Sequence, residues 1–225
     1  MKKILLISPF FYPERISTGL FNTKIVKQLE SKSCEVDVWC SHPFYPEWKP
    51  VFSALKDVGH RIVRMGRYIK YPKTLVLRRF VLELWFFFAV CGRLLRNREK
   101  YDVIIAHVPP SLFTFWLFLF KGDTRLVVLV ADLQSVHMGH GSGFLRKWVF
   151  SAIGYIERLT FNCADHLIFM SDAMLNKIGR LNIKQKINVD VCYPGVTIEK
   201  NNDAKTDVLD FISHDKINIV YSGAL

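Results

Sequence analysis

The sequence predicts an α/β fold: a doubly wound, mainly parallel sheet with helices on both faces. Three observations predict it. Short apolar runs alternate with longer segments of helical period over about 190 residues, the pattern of repeated strand–helix–strand units. The runs are rich in Ile, Leu and Val and lack polar alternation, as strands buried on both faces do. Half of the 225 residues are apolar and 23% are charged, which favours a packed core over disorder.

The elements follow in chain order. Residues 3–10 read as the first buried strand, stopped around Ser8-Pro9. No small-residue cleavage site follows, so a strand is expected rather than a secretory signal. Residues 20–31 carry Phe21, Ile25, Val26 and Leu29 at helical spacing, with Thr18-Gly19 just ahead as the helix start. Residues 35–40 and 60–65 are the second and third strands. Between them, residues 42–50 hold three prolines, which forbid regular structure. Residues 75–98 predict a long helix whose apolar stripe is Leu77, Val81, Leu84, Phe88, Cys91 and Leu95. A strand at 101–108 is stopped by Pro109-Pro110, and a short, very apolar helix occupies 111–120. Strand 125–131, helix 144–162, strand 165–170, helix 172–181 and strand 187–193 complete the alternation. The apolar stretch 80–95 contains Glu83 and falls short of the roughly 20 residues that span a bilayer, so no membrane-crossing helix is expected.

Past Pro194-Gly195 the composition turns polar. Residues 197–215 read as a linker, and residues 216–225 begin another buried strand. The expected layout is therefore a domain at 1–196, a linker at 197–215, and at 216–225 the first strand of a second domain that is cut short.

The five cysteines, Cys34, Cys40, Cys91, Cys163 and Cys192, contain no C-x-x-C pair, which suits free thiols in a reducing cytoplasm. A formal charge of +11 concerns partners rather than fold. Basic residues recur at Arg61, Arg64, Arg67, Lys70 and Lys73, at Arg78 and Arg79, and at Arg93, Arg96, Arg98 and Lys100. They read either as a solvated surface or as a docking face for an anionic inner leaflet, where each cation is worth about 1 kcal/mol. Nucleic acid is not an expected partner.

The loop after the first strand holds a single glycine, Gly19, so the G-x-G-x-x-G dinucleotide fingerprint is absent, as is any Walker A pattern. Hydride transfer and phosphate-loop NTP hydrolysis are thereby disfavoured. Pro9-Phe10-Phe11-Tyr12-Pro13, with Thr18-Gly19 opening a helix, resembles the start of family 4 retaining glycosyltransferases of the GT-B type. Within that family the resemblance is to bacterial enzymes that build colanic acid, capsules and O-antigens. It continues through Glu35–Cys40 with Pro43-Phe44-Tyr45-Pro46, Val130-Ala131-Asp132-Leu133-Gln134, Glu157-Arg158 with Ala164-Asp165, and Tyr193-Pro194-Gly195-Val196, where the family's asparagine is missing. Val220-Tyr221-Ser222-Gly223 resembles the strand that opens the family's donor domain.

The resemblance implies two Rossmann-like domains with the reaction in the cleft between them. The first holds the acceptor, a lipid-diphosphate-linked saccharide on the cytoplasmic side of the membrane, with peripheral contact to the anionic inner leaflet. The second binds the nucleotide-sugar donor and would lie beyond residue 225, so little or no transferase activity is expected of this chain alone. Two other readings stay open: a non-catalytic, membrane-associated or partner-binding module, and the remnant of a disrupted gene.

In parallel sheets ligands bind beyond the carboxyl ends of the strands, so the candidate residues are those just after each strand. Thr18 and Gly19 stand at a helix entrance, where backbone N–H groups and the helix dipole suit a diphosphate; glycine for backbone shape alone is the other reading. Asp132 follows a buried strand and is the candidate catalytic carboxylate, placed to orient or deprotonate an acceptor hydroxyl, or else a turn or cap residue. His107 ends a strand beside Pro109-Pro110 and is a candidate ligand for a sugar hydroxyl, or a structural histidine. Tyr45 and Trp48 are candidates for stacking on a sugar, or for packing beneath the proline-rich loop. His137 and His140 lack a third ligand and helical spacing, so neither a metal nor any other cofactor is expected.

Overall fold

The apolar runs become the strands of one sheet in the computed structural model, which describes residues 1–14, 16–52, 61–133, 144–178 and 187–193. In chain order the elements are β1 (Lys3–Ile7), α1 (Ser17–Ser31), β2 (Glu35–Ser41), β3 (Arg61–Met65), α2 (Leu75–Arg96) and β4 (Val103–Val108). There follow α3 (Thr114–Phe120), β5 (Arg125–Val130), α4 (Phe144–Cys163), β6 (His166–Phe169), α5 (Asp172–Ile178) and β7 (Asn188–Val191). The strands lie in the order β3-β2-β1-β4-β5-β6-β7, and every neighbouring pair is parallel. The chain builds outward from β1 to β3 and returns through α2 to β4, so the order reverses between β1 and β4. That reversal opens a crevice at the carboxyl ends of these two strands.

Strand pleating divides the core. Leu5 and Ile7 face one layer with Phe86, Phe113, Leu117 and Phe161. Ile4 and Leu6 face the other with Phe11, Val26, Val36 and Val38. α2, α3 and α4 thus cover one face of the sheet and α1 covers the other. Full burial of side chains such as Leu5, Leu6 and Ile7 contributes about 1.5–3 kcal/mol apiece. The amino-terminal edge is closed by charge pairing: Lys3 and Arg61 both bond Glu99, and the Tyr101 hydroxyl donates to Asp37 at 2.7 Å. The loops at the carboxyl edge are left to carry function.

Among the differences from the sequence expectation, three are the most informative. β1 stops at Ile7, where Pro9 has no N–H to extend the ladder, although the Ser8 N–H still donates to the Trp39 carbonyl and the Pro9 carbonyl accepts from the Ser41 N–H. α1 starts at Ser17, placing Thr18 and Gly19 inside its first turn rather than ahead of it. On α2, the buried side chains are Leu82, Phe86 and Val90, the last two within the sheet core, whereas Leu77, Phe88 and Leu95 of the predicted stripe are 52%, 64% and 68% exposed. α2 is apolar around most of its circumference, so periodicity finds a stripe without deciding which one faces inward.

Residues 1–194 form one compact unit and residues 195–225 are divided from it. The expected linker at 197–215 and strand at 216–225, like His137 and His140, lie outside the described residues. Among the described residues, no helix is long and apolar enough to cross a membrane.

Candidate functional site

A buried polar cluster occupies the crevice between β1 and β4. Asn22, on the inner side of α1, donates through Nδ2 to Ser8 Oγ at 2.9 Å and to the Phe10 carbonyl at 2.8 Å. A carbonyl only accepts, so these bonds fix which end of the amide is the NH2. Its Oδ1 then faces His107 Nδ1 at 2.6 Å, which requires the proton on Nδ1. His107 Nε2 is left as a bare acceptor, buried and without a hydrogen-bond partner among the described residues. Burial holds the imidazole neutral, with its pKa lowered to about 4. Ser8, Asn22 and His107 are all essentially inaccessible, so the cluster is held in one arrangement and the unpaired Nε2 lies covered in this conformation.

The loop joining β1 to α1 is tied to the aromatic loop after β2. Glu14 Oε1 accepts from the Phe44 N–H at 2.9 Å and the Tyr45 N–H at 2.7 Å. Its carboxyl is pushed up to about 7, chiefly by desolvation, against the two N–H donors and the nearby Arg64 charge. Arg64 Nη2 donates to the Tyr12 carbonyl at 2.8 Å, and the Ser41 hydroxyl donates to the Pro9 carbonyl. The aromatic loop is internally packed. Phe44 stacks on Tyr71 with ring centroids 4.9 Å apart, and Trp48 lies 5.2 Å from Tyr71 with the Arg78 guanidinium 5.2 Å from its ring. Trp48 holds a left-handed backbone, φ 56°, so this packing sustains a conformation that costs a bulky residue free energy.

The sequence-predicted residues all fall on this carboxyl edge. Gly19 is buried against the loop before it: a Cβ there would stand 2.7 Å from the Glu14 carbonyl oxygen, which accounts for the glycine by backbone approach. α1 has Ile16 at its N-cap, no side-chain cap and no acid in its first turn, so its positive end keeps its charge beside Thr18 and Gly19. Asp132 follows β5, two residues past the Val108–Val130 register pair, and is half-buried. Tyr45 and Trp48 are half-buried in the aromatic cluster, ring centroids 6.5 Å apart. The loop after β4 is fastened by Glu83 of α2, which accepts from the Ser111 N–H at 2.8 Å and the Leu112 N–H at 3.0 Å. Glu157 of α4 is 4% exposed. Among the described residues, no group of three His, Cys, Asp or Glu side chains is placed to hold a metal.

Sequence reasoning missed Asn22, Ser8 and Glu14. Asn22 had a readable signal: it shares the apolar side of α1 with Val26 and Leu29 at i+4 and i+7, where an amide needs a buried partner. Glu14 had none, because its partners are backbone groups some 30 residues away.

The reversed strand order and the polar crevice at its carboxyl edge define the Rossmann-like half of a GT-B architecture. The glycosyl transferase 4-like domain family matches residues 21–195, and the chain belongs to that family. Among solved structures, it is similar to sucrose-phosphate synthase from Thermosynechococcus elongatus, with TM-score 0.64 and 14% identity over 88% of this chain and 49% of that one. A second structure of that synthase, covering a portion of it, aligns with TM-score 0.56 and 12% identity over 87% of this chain and 91% of that one. MurG from Acinetobacter baumannii aligns with TM-score 0.42 and 13% identity over 88% and 47%. The chain therefore spans about half the length of the first of these proteins. No curated protein sequence matches.

Proposed function

We propose that the chain is the acceptor-holding half of a retaining glycosyltransferase acting on a lipid-diphosphate-linked saccharide in bacterial surface-polysaccharide synthesis, of the colanic acid, capsule or O-antigen kind. It would work on the cytoplasmic side, in peripheral contact with an anionic membrane. The observation that carries this reading is the bare, buried Nε2 of His107, held at the crevice by Asn22. Once the side chains covering it move aside for the acceptor, a neutral imidazole with a fixed tautomer accepts a hydrogen bond from a sugar hydroxyl and does not compete for its proton. In this reading Asp132 orients the attacking acceptor hydroxyl or takes its proton. The diphosphate lies at the first turn of α1 near Thr18 and Gly19, where unopposed N–H groups favour negative charge. Tyr45 and Trp48 border the saccharide. The donor, a nucleoside diphosphate sugar, would be gripped by a second domain.

Ligand titration followed by thermal denaturation tests this, because whatever binds only the folded state raises its midpoint. A short-chain prenyl diphosphate saccharide is expected to raise it and nucleotide sugars are not. His107→Ala and Asp132→Asn are each expected to weaken the acceptor's effect about tenfold, the equivalent of one lost hydrogen bond of about 1.4 kcal/mol. Tight binding of a nucleotide sugar, or acceptor binding indifferent to both substitutions, would overturn the assignment.

A further inference from the structure

α2, α3 and α4 turn a broad apolar surface away from the sheet. Phe80, Phe88 and Leu95 of α2 are each more than half exposed, and Phe115 and Phe118 of α3 and Leu159 of α4 nearly half. The three helices meet through ring contacts, with Phe87 4.9 Å from Trp116, and a cavity of about 350 Å3 opens between α3 and α4. Its walls, from Leu112 and Phe115 to Ile156 and Leu159, are almost wholly apolar. Apolar patches of this extent on soluble proteins mark interaction surfaces.

Charge on the same helices selects the occupant. Their sequences contain two acids, Glu83 and Glu157, and both point inward: Glu83 onto the Ser111 and Leu112 amides, Glu157 at 4% exposure. Arg96 and Arg158 are exposed and flank the apolar surface. An outward face that is apolar and solely cationic repels a second copy of itself and complements anionic headgroups over hydrocarbon. We propose that the α2–α3–α4 face seats on an anionic phospholipid bilayer, its arginines among the headgroups and its rings, with the α3–α4 cavity, against the acyl chains. This rests on the peripheral membrane contact proposed above and locates it on the helical face rather than on the basic stretch Arg61–Lys73.

Sedimentation of the full chain with vesicles tests it, comparing phosphatidylglycerol–phosphatidylcholine mixtures with phosphatidylcholine alone, and no glycan acceptor. The chain is expected to pellet with the anionic vesicles only. Phe88→Ser with Phe118→Ser is expected to weaken partition about tenfold or more. Arg67→Gln with Lys70→Gln is expected to change it little. A wild-type chain that stays in the supernatant sinks membrane contact altogether. Binding that survives the phenylalanine changes and fails with the Arg67 and Lys70 changes keeps membrane contact but removes it from this face. A concentration-dependent dimer dissolved by the phenylalanine changes assigns the face to a second copy and overturns the proposal. Should the double variant fail to fold, tryptophan quenching by brominated phosphatidylglycerol decides: it must occur in the wild type and largely vanish in Trp116→Phe.

Discussion

Glu14 is a carboxyl whose environment works against its charge. Burial raises its pKa from an ordinary 4.5 to about 7, although two N–H donors and Arg64 pull it down. The folded state therefore binds this proton more tightly than the unfolded chain does. Its contribution to stability is full below 4.5 and is lost as pH rises towards 7. Glu14→Gln keeps the acceptor for Phe44 and Tyr45 without a charge to bury. It is expected to match wild type near pH 4 and to exceed it by about 1–3 kcal/mol above pH 7, read from urea unfolding at each pH. Asn22→Asp changes the neighbouring cluster in the opposite sense: it sets a carboxylate against His107, and the imidazole pKa is expected to rise well above its lowered value of about 4. Imidazole titration by NMR reads this directly, and an unmoved His107 would refute the Asn22 contact. Gly19→Ala drives a Cβ to 2.7 Å from the Glu14 carbonyl, so about 1–3 kcal/mol of stability should be lost with no ligand present.

At the scale of elements, α2 shows how a correct helix assignment leaves its orientation undecided. Phe86 is fully buried, with its ring 5.1 Å from Phe113 and perpendicular to it, while Phe88 is 64% exposed. Phe86→Ala should cost about 3–5 kcal/mol by denaturant unfolding, whereas Phe88→Ser should stay within about 0.5 kcal/mol. The reverse outcome would restore the stripe containing Phe88 to the core. The helical segments were readable because each keeps an apolar period between Gly, Pro or polar breaks, and the strands because they lack alternation. Some end residues shifted by a few positions, as at α1, whose cap Ile16 carries no side-chain hydrogen bond that a sequence pattern would mark.

The whole molecule carries a charge of +11 behind an apolar helical face, so two forces of different reach act on any surface it meets. Electrostatic attraction is screened over about 10 Å at 0.1 M salt and about 3 Å at 1 M, while apolar burial is nearly salt-independent. Association with anionic vesicles should therefore weaken as salt rises yet retain a residual part, and retention on DNA should vanish. Complete loss of vesicle binding at moderate salt would mean that charge alone holds the chain there. Distribution of residues within the fold agrees with this division: charge pairs such as Lys3–Glu99 seal the amino-terminal edge, and the carboxyl edge keeps the polar crevice.

What the sequence determined by itself is the alternation of strands and helices, the parallel sheet, and the carboxyl edge as the place for Gly19, His107 and Asp132. Those follow from local periodicity and from strand sequences that only burial on both faces can satisfy. Tertiary structure alone decided that Asn22 fixes the His107 tautomer, that Glu14 joins two loops, and that α2 turns Phe88 outward. Each of these depends on groups far apart in the chain meeting at hydrogen-bond or van der Waals distance. Periodicity carries no record of which partner a side chain meets.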